Sequence, residues 1–209
     1  MKPNRDFWSK IAKKYAVSPI SNMEAYEATL DRVVEHMPKG ARVLELGCGT
    51  GGTALRLAEH AHSIVATDFA DGMIEQAKAR DGKPNVEFVC ADVFDPSFKD
   101  GSFDVVMGFN LFHLVEDAPR TYARIHELLA PGGLFISKSP CLGEGSLGFK
   151  FGLMKRAIPL MQWMGKAPFV RFETIANLDA DIARAGFDIV ETGNYPVRPP
   201  NHFVVAKRV

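Results

Sequence analysis

Val43-Leu44-Glu45-Leu46-Gly47-Cys48-Gly49-Thr50-Gly51-Gly52 is the stretch that decides the fold, because it joins an apolar run to a turn rich in glycine. A short apolar run bounded by glycines is typical of a buried strand, here Val43–Leu46. A helical pattern, Thr53–His60, follows the turn directly. Glycines let a ligand approach the main chain, and free N–H groups at the start of a helix favour polar or anionic ligand groups. The stretch therefore predicts a ligand-binding turn at the end of a buried strand.

Outward from this turn, short apolar runs alternate with helical patterns. Strand and helix in turn predict right-handed crossovers and a parallel sheet covered on both faces. About ten residues join the last two predicted strands, which is short for a helical crossover, so we expect that pair to be antiparallel. The expected fold is α/β, a Rossmann-like three-layer sandwich with a seven-stranded, mostly parallel sheet and an antiparallel last strand. The further strands are predicted at Ile64–Thr67, Val86–Cys90, Phe103–Phe109, Leu134–Ser137, Phe187–Thr192 and Phe203–Ala206, and further helices at Met73–Arg80 and 118–129.

Two segments flank this alternation, and we expect both to cover the active site of one domain spanning residues 1–209. Residues 1–38 carry two amphipathic patterns and form a helical lid. Its first helix covers 5–16, and Ser21 with Glu24 forms a capping-box pattern for the second. Residues 140–171 form an irregular insertion. The last helix is predicted at Ile175–Ala185, with Gly186 as its C-terminal cap.

Composition excludes several classes of protein. The 25 Lys and Arg residues balance 25 Asp and Glu, so a protein that wraps nucleic acid by bulk charge is not expected. With 46% hydrophobic and 24% charged residues, global disorder is not expected either. The three cysteines form no Cys-x-x-Cys pair, and no histidines have ligand spacing, so we expect no disulfide framework and no metal. We find no signal peptide or membrane-spanning run and expect a cytoplasmic protein.

The glycine pattern by itself fits two cofactors. Gly47, Gly49 and Gly52 match the Gly-x-Gly-x-x-Gly fingerprint of dinucleotide-binding proteins. Glu45, two places before the first glycine, would repel a pyrophosphate, but it suits a ligand with an ammonium or sulfonium group. The glycine loop by itself therefore leaves a nicotinamide-dependent oxidoreductase open as an alternative function.

Two further acidic residues follow neighbouring strands. Asp68 ends the second predicted strand, where a carboxylate can accept hydrogen bonds from both ribose hydroxyls. Asp92 follows the third strand, where it can accept a hydrogen bond from an adenine amino group. Either residue alone could merely cap a helix or close a turn. Together with the glycine loop they predict a nucleoside site at the carboxyl edge of the sheet.

The order of these motifs resembles the class I S-adenosylmethionine-dependent methyltransferases. Outside the glycine loop and the two aspartates, the resemblance rests on Phe103-Asp104-Val105-Val106 and Leu129-Ala130-Pro131-Gly132-Gly133. Within this family, the sequence pattern is similar to that of the small-molecule branch, which includes the ubiquinone and menaquinone-pathway methyltransferases. The resemblance implies S-adenosyl-L-methionine as cofactor, bound around the strand ends with one residue of the lid. The implied cofactor-binding residues are Tyr15, Glu45, Gly47, Cys48, Gly49, Gly51, Asp68, Phe69, Met73, Ala91, Asp92, Val93 and Asn110. Among them, Glu45 would support the amino group of the cofactor through the loop or a water.

His113 is the candidate catalytic base. It follows the fourth strand in Asn110-Leu111-Phe112-His113, and its near-neutral pKa suits proton transfer from an acceptor. A histidine in this place can also do no more than hydrogen-bond the backbone or shape the pocket, and the sequence does not separate the two roles.

The insertion suggests the acceptor. Residues 147–171 contain five basic residues, no acidic residue and many apolar ones. They fit a pocket for a small apolar or anionic acceptor, weak contact with a membrane surface, or plain packing in a monomer or a homodimer. A scaffold that binds the cofactor without turnover is the alternative outside enzymes.

Overall fold

The computed structural model describes residues 2–144, 158, 161–162 and 167–209. Most of the predicted insertion therefore lies outside the described residues. The helices are α1 (Lys2–Val17), α2 (Met23–His36), α3 (Gly52–Leu57), α4 (Asp71–Lys78), α5 (Ala118–Leu128) and α6 (Ile175–Arg184). The strands are β1 (Arg42–Leu46), β2 (Ser63–Asp68), β3 (Val86–Cys90), β4 (Phe103–Phe109), β5 (Leu129–Pro140), β6 (Phe187–Asn194) and β7 (Asn201–Arg208).

The seven strands form one sheet in the order β3-β2-β1-β4-β5-β7-β6. Neighbours from β3 to β5 pair in parallel, whereas β7 is antiparallel to both β5 and β6. The predicted sheet and its antiparallel last strand are confirmed. The chain runs from β1 to β3 on one side and from β4 to β5 on the other. The carboxyl ends of β1 and β4 therefore flank the crevice where open α/β sheets bind ligands.

Helices cover both faces of the sheet, as the nearly all-apolar strands require. On one face, Leu44 and Leu46 of β1 belong to a core that includes Tyr122 of α5 and Ile182 of α6. On the other face, Val43 belongs to a core that includes apolar side chains of α2, α3 and α4. The predicted three-layer sandwich is thus the observed architecture.

Two predicted helix ends can be compared with the structure. The N-terminal cap of α2 is Asn22, whose Oδ1 accepts a hydrogen bond from Ala25 N at 2.9 Å, so the predicted cap at Ser21 is wrong by one residue. An amide oxygen fits this role as well as a hydroxyl, and the sequence offers both side by side. Gly186 follows α6 with φ +93°, as expected for a glycine that ends a helix.

Helix α1 packs against α4 at the carboxyl edge of the sheet. Ser9 Oγ donates a hydrogen bond to Asp71 Oδ1 at 2.5 Å, and Ala12 packs with Met73. The two backbones meet closely at Gly72, where an added Cβ would lie 2.7 Å from the carbonyl oxygen of Ser9. Among the described residues, no helix is long and apolar enough to cross a membrane.

Gly72→Ala is expected to displace α1 while leaving the sheet intact, because the new methyl group meets backbone rather than a flexible side chain. Amide hydrogen exchange in α1 should accelerate by about tenfold or more, since local opening becomes easier. Gly82→Ala is the matched control, because a Cβ at Gly82 meets nothing within 4 Å. Equal exchange in both variants would contradict this account of the α1 contact.

Candidate functional site

A cavity of about 490 Å³ opens at the carboxyl ends of β1, β2, β3 and β4, with α1 on one side and α5 on another. It lies in the crevice that the strand order creates. Ten of the residues singled out from the sequence line its wall. They are Tyr15, Gly47, Gly49, Asp68, Phe69, Met73, Ala91, Asp92, Val93 and Asn110.

The turn after β1 takes a conformation that only glycines adopt readily. Gly47, Gly49 and Gly51 have φ angles of +65°, +55° and +77°. Cys48 N donates to Thr67 O at 2.8 Å, which fastens the turn to the end of β2. The left-handed glycines therefore hold the main chain of the loop at the cavity wall. Because Gly47 and Gly49 have no side chains, a ligand can reach that main chain.

Asp68 holds the same turn from the other side. Its Oδ2 accepts from Gly49 N at 3.0 Å and its Oδ1 accepts from Ala70 N at 2.9 Å. Only 8% of the residue is exposed. Burial raises the pKa of Asp68, and the two backbone N–H groups oppose that shift by favouring the charged form. Each carboxylate oxygen can accept a second hydrogen bond, so Asp68 can still bind donors in the cavity.

The end of β3 forms the part of the wall next to Asp68, since Asp68 pairs with Cys90 and Ala91 N donates to Asp68 O at 3.2 Å. Asp92 Oδ1 accepts from Phe94 N at 2.7 Å, which fixes the carboxylate in a turn. Ala91 and Val93 beside it are buried and apolar, as is Met73 of α4. This part of the cavity wall is therefore apolar with one carboxylate, which suits a flat heterocycle that carries an amino group.

Asn110 continues the wall beyond β4. It is the one non-glycine residue with positive φ in the described chain, at +54°. Its N–H donates to Lys138 O at 2.7 Å, and its Oδ1 accepts from Asn201 Nδ2 at 2.9 Å. Sequence reasoning missed Asn201, because 91 residues separate the two asparagines and no local motif links them.

Helix α1 brings aromatic side chains over the loop. The rings of Trp8 and Tyr15 meet edge to face with centroids 6.4 Å apart, and both line the cavity. A Cβ at Gly49 would lie 3.7 Å from the Tyr15 ring, so the ring sits directly against the glycine turn. Half of Tyr15 is exposed, which leaves the ring accessible from the cavity.

Three residues of β1 and the loop that were singled out from the sequence do not line the cavity. Gly51 faces inward, where an added Cβ would lie 2.6 Å from the Phe88 ring, so its role is packing. Cys48 is buried, and burial raises the pKa of its thiol, so it is a small inert core residue. Glu45 points into the core beneath the loop and accepts a hydrogen bond from Ala54 N–H. Any support that Glu45 gives to a ligand must therefore pass through the loop.

His113 lies in a short 3₁₀ turn, Phe112–Leu114, and is not in the wall of the large cavity. Its neighbours Leu111, Leu114 and Val115 are. Burial lowers the pKa of His113 to about 4, and its Nδ1 has no hydrogen-bond partner among the described residues. Its role as a base stays a prediction.

No group of three or more His, Cys, Asp or Glu side chains in the described part of the chain is placed to hold a metal ion. The charged groups of the cavity wall are instead unbalanced. Four carboxylates face two guanidinium groups, and such a wall favours a ligand with positive charge. These groups belong to Asp68, Asp92, Glu116, Asp117, Arg5 and Arg120.

Comparison with known proteins agrees with this geometry. Residues 43–133 match the family model described as a methyltransferase domain. A malonyl-[acyl-carrier protein] O-methyltransferase of Geobacter sulfurreducens is 32% identical over 182 residues, which cover 82% of this chain and 67% of the relative. The chain belongs to the S-adenosylmethionine-dependent methyltransferases. A demethylmenaquinone methyltransferase of Symbiobacterium thermophilum is 31% identical, covering 76% of this methyltransferase and 68% of the relative.

The fold comparison gives the same result. An S-adenosylmethionine-dependent methyltransferase from Mesorhizobium loti superposes with a TM-score of 0.71. The match covers 88% of this chain and 98% of that one at 22% identity. The methyltransferase therefore transfers a methyl group from S-adenosylmethionine to a small acceptor. The nicotinamide-dependent alternative is not supported.

The site fits this cofactor by the chemistry of its walls. S-adenosylmethionine carries a sulfonium and an ammonium group, and the carboxylate-rich wall favours both. Its ribose offers two hydroxyl donors, and the buried Asp68 has free acceptor capacity next to Gly49, which lines the cavity. The buried apolar side chains of Met73 and Val93 in the wall match a purine ring in character.

Asp68→Ala is expected to weaken the binding of S-adenosylhomocysteine by about tenfold or more, because it removes charge-assisted hydrogen bonds and loosens the Gly49 turn. Isothermal titration calorimetry gives the Kd. Asp95→Ala is the matched control, since Asp95 also accepts from a backbone N–H, that of Ser97, but lies outside the cavity wall. Unchanged affinity in Asp68→Ala would remove Asp68 from the site.

Glu45 predicts a pH dependence of stability. Burial, with a smaller contribution from nearby Asp68, raises the pKa of Glu45 from 4.5 to about 8, so the native state keeps a proton that the unfolded chain releases. The resulting stabilisation is full below pH 4.5 and is lost as the pH rises to about 8. The slope can reach about 1.4 kcal/mol per pH unit.

Glu45→Gln should therefore gain stability relative to the wild type as the pH increases from about 5 to 8, because the amide has no proton to lose. Thermal unfolding across that range gives the difference in Tm. Glu87→Gln changes an exposed carboxyl on β3 and should show no such trend. A constant Tm difference for Glu45→Gln would contradict the protonated native state.

Proposed function

We propose that the acceptor has an apolar body and enters the same cavity that holds the cofactor, with α1 as a lid. The observation that carries this proposal is the continuity of the cavity. It extends from the glycine loop and Asp68 past Asn110 to an apolar wall after β4. Donor and acceptor can therefore meet without passing through solvent, as a direct displacement requires.

The proposed cofactor contacts follow from the wall. Asp68 accepts hydrogen bonds from the ribose hydroxyls, and Asp92 accepts one from the adenine amino group. Phe69 and Met73 pack against the purine, and the backbone of Gly47 and Gly49 meets the methionine part. When bound, S-adenosylmethionine supplies a methyl group already activated by its sulfonium.

The chain's remaining task is alignment and the exclusion of water, which can supply much of the rate acceleration for an activated donor. Leu111, Leu114 and Val115 present apolar surface on the acceptor side. Trp8 and Tyr15 of α1 line the same cavity. Closure of α1 over these residues would complete an apolar chamber.

Further support for a carboxylate or quinone acceptor comes from the names of the two relatives. One is named for malonyl-[acyl-carrier protein] and the other for demethylmenaquinone. The basic segment 147–171 would favour an anionic or lipid-associated acceptor, and its contact with a membrane surface belongs to the same hypothesis. Most of that segment lies outside the described residues.

Methyl transfer from labelled S-adenosylmethionine to a panel of carboxylic acids, quinones, phenols and amines tests the proposal. We expect turnover with an apolar acid or quinone, because these fit the apolar acceptor wall. Turnover restricted to small polar amines would contradict the acceptor class. Tight binding of S-adenosylhomocysteine with no turnover on any acceptor would favour the scaffold.

Leu114→Trp sharpens this test, because it fills the acceptor side of the cavity with a larger ring. It should lower kcat/KM for the acceptor about tenfold or more while changing the Kd of S-adenosylhomocysteine less than about twofold. Val190→Trp, at an exposed position of β6, is the control for the substitution itself. If Leu114→Trp weakened the binding of S-adenosylhomocysteine as much as it lowered kcat/KM for the acceptor, Leu114 would belong to the cofactor side.

A further inference from the structure

A second cavity lies behind the loop that follows β4. It is small, about 10 Å³, and lies between that loop, the end of β5, α5 and the segment leading to α6. A volume of this size holds about one water molecule when its walls are polar. The polar side chains of its wall are His113, Tyr122, Ser139, Arg171 and Glu173.

Two of these polar side chains each have a buried atom that makes no hydrogen bond to the described residues. His113 Nδ1 and Ser139 Oγ are both buried, and neither has a hydrogen-bond partner among the described residues. Buried polar groups in native proteins are almost always hydrogen-bonded to protein or to ordered water. Two such atoms in one cavity therefore indicate a common partner between them.

The turn that carries His113 is hydrogen-bonded to the segment that leads to α6. Arg171 N donates to the carbonyl oxygen of His113 at 2.6 Å. The Arg171 guanidinium pairs with Glu173, and it lies 3.4 Å from Asp181 of α6. The guanidinium is thus already neutralised, and a metal cation would meet it at close range. A neutral partner is the one that fits.

The loop after β4 consequently has two faces. Leu111, Leu114 and Val115 line the large cavity, whereas His113 lines the small one. Whatever fixes the His113 ring also fixes the backbone that carries the three apolar side chains. A shift of this turn would misalign the acceptor wall without touching the cofactor side.

We propose that one water molecule occupies the small cavity and bridges His113 Nδ1 to Ser139 Oγ, and that His113 is a positioning residue for the acceptor wall. The role in catalysis rests on the proposed function, whereas the water site does not. A neutral imidazole offers one donor and one acceptor, and water and a hydroxyl can serve either. The lowered pKa of His113, about 4, keeps the ring neutral at physiological pH.

Three substitutions at His113 separate positioning from proton transfer. His113→Asn keeps a polar atom near the place of Nδ1, His113→Gln moves it towards the place of Nε2, and His113→Ala removes it. We expect kcat within about threefold of the wild type for Asn, and a loss of about tenfold or more for Gln and Ala. The Kd of S-adenosylhomocysteine should change by less than about twofold in all three.

The free protein provides a readout independent of turnover. Long-range proton–nitrogen NMR should show His113 in one neutral tautomer between about pH 5.5 and 8. A cross-peak to bound water is expected from a His113 ring N–H or from the adjacent ring C–H. Ser139→Ala should shift the His113 ring nitrogens. Ser137→Ala should leave the His113 ring nitrogens unshifted, because Ser137 does not line this cavity. It is a matched control, since its Oγ is also buried and without a hydrogen-bond partner among the described residues.

Two results would overturn the proposal. One is a kcat/KM that falls at acidic pH in parallel with the NMR titration of His113, together with a His113→Asn variant that is as inactive as His113→Ala. That pattern identifies His113 as a base. The other is equal behaviour of Ser139→Ala and Ser137→Ala in the NMR experiment. If no acceptor is turned over, the NMR comparison still decides the water site, so the two proposals fail separately.

Discussion

The hydrogen bond from Gly49 N to Asp68 Oδ2, at 3.0 Å, is the constraint on which the site depends. It joins the turn after β1 to the end of β2, and it needs both a left-handed glycine and a carboxylate buried at the strand end. The ligand-binding edge of the sheet is thereby rigid before any ligand arrives. Such preorganisation lowers the entropy that binding must otherwise overcome.

Much of this edge could be predicted from sequence, because its signals are local. Apolar runs of four to seven residues mark β1, β3 and β4, and crossover rules then bring their carboxyl ends to one side. Asp68 ends β2 and Asp92 comes shortly after β3, so the topology alone brings them beside the glycine turn. The resemblance to methyltransferases added the cofactor to a geometry that the sheet already fixed.

The parts that escaped prediction depend on which way a side chain faces. In β1, Glu45 lies on the same face as Val43, so it enters the core beneath the loop. His113 follows β4 in a 3₁₀ turn, where no period of 2 or 3.6 residues fixes its direction. The Asn110–Asn201 contact joins residues far apart in sequence, which no single-sequence pattern reveals.

The two buried carboxyls near the loop show why position decides charge. Asp68 accepts hydrogen bonds from two backbone N–H groups, whereas Glu45 accepts one, and its Oε2 has no partner in the part of the chain that the structure describes. Backbone donors favour the charged form and burial disfavours it, so the balance differs between the two sites. Burial raises the pKa of both groups, and that of Glu45 to about 8, so Asp68 is the carboxyl that gives up its proton more readily. A zero net charge over the chain is compatible with a locally acidic site, because the fold decides which carboxyls ionise and where.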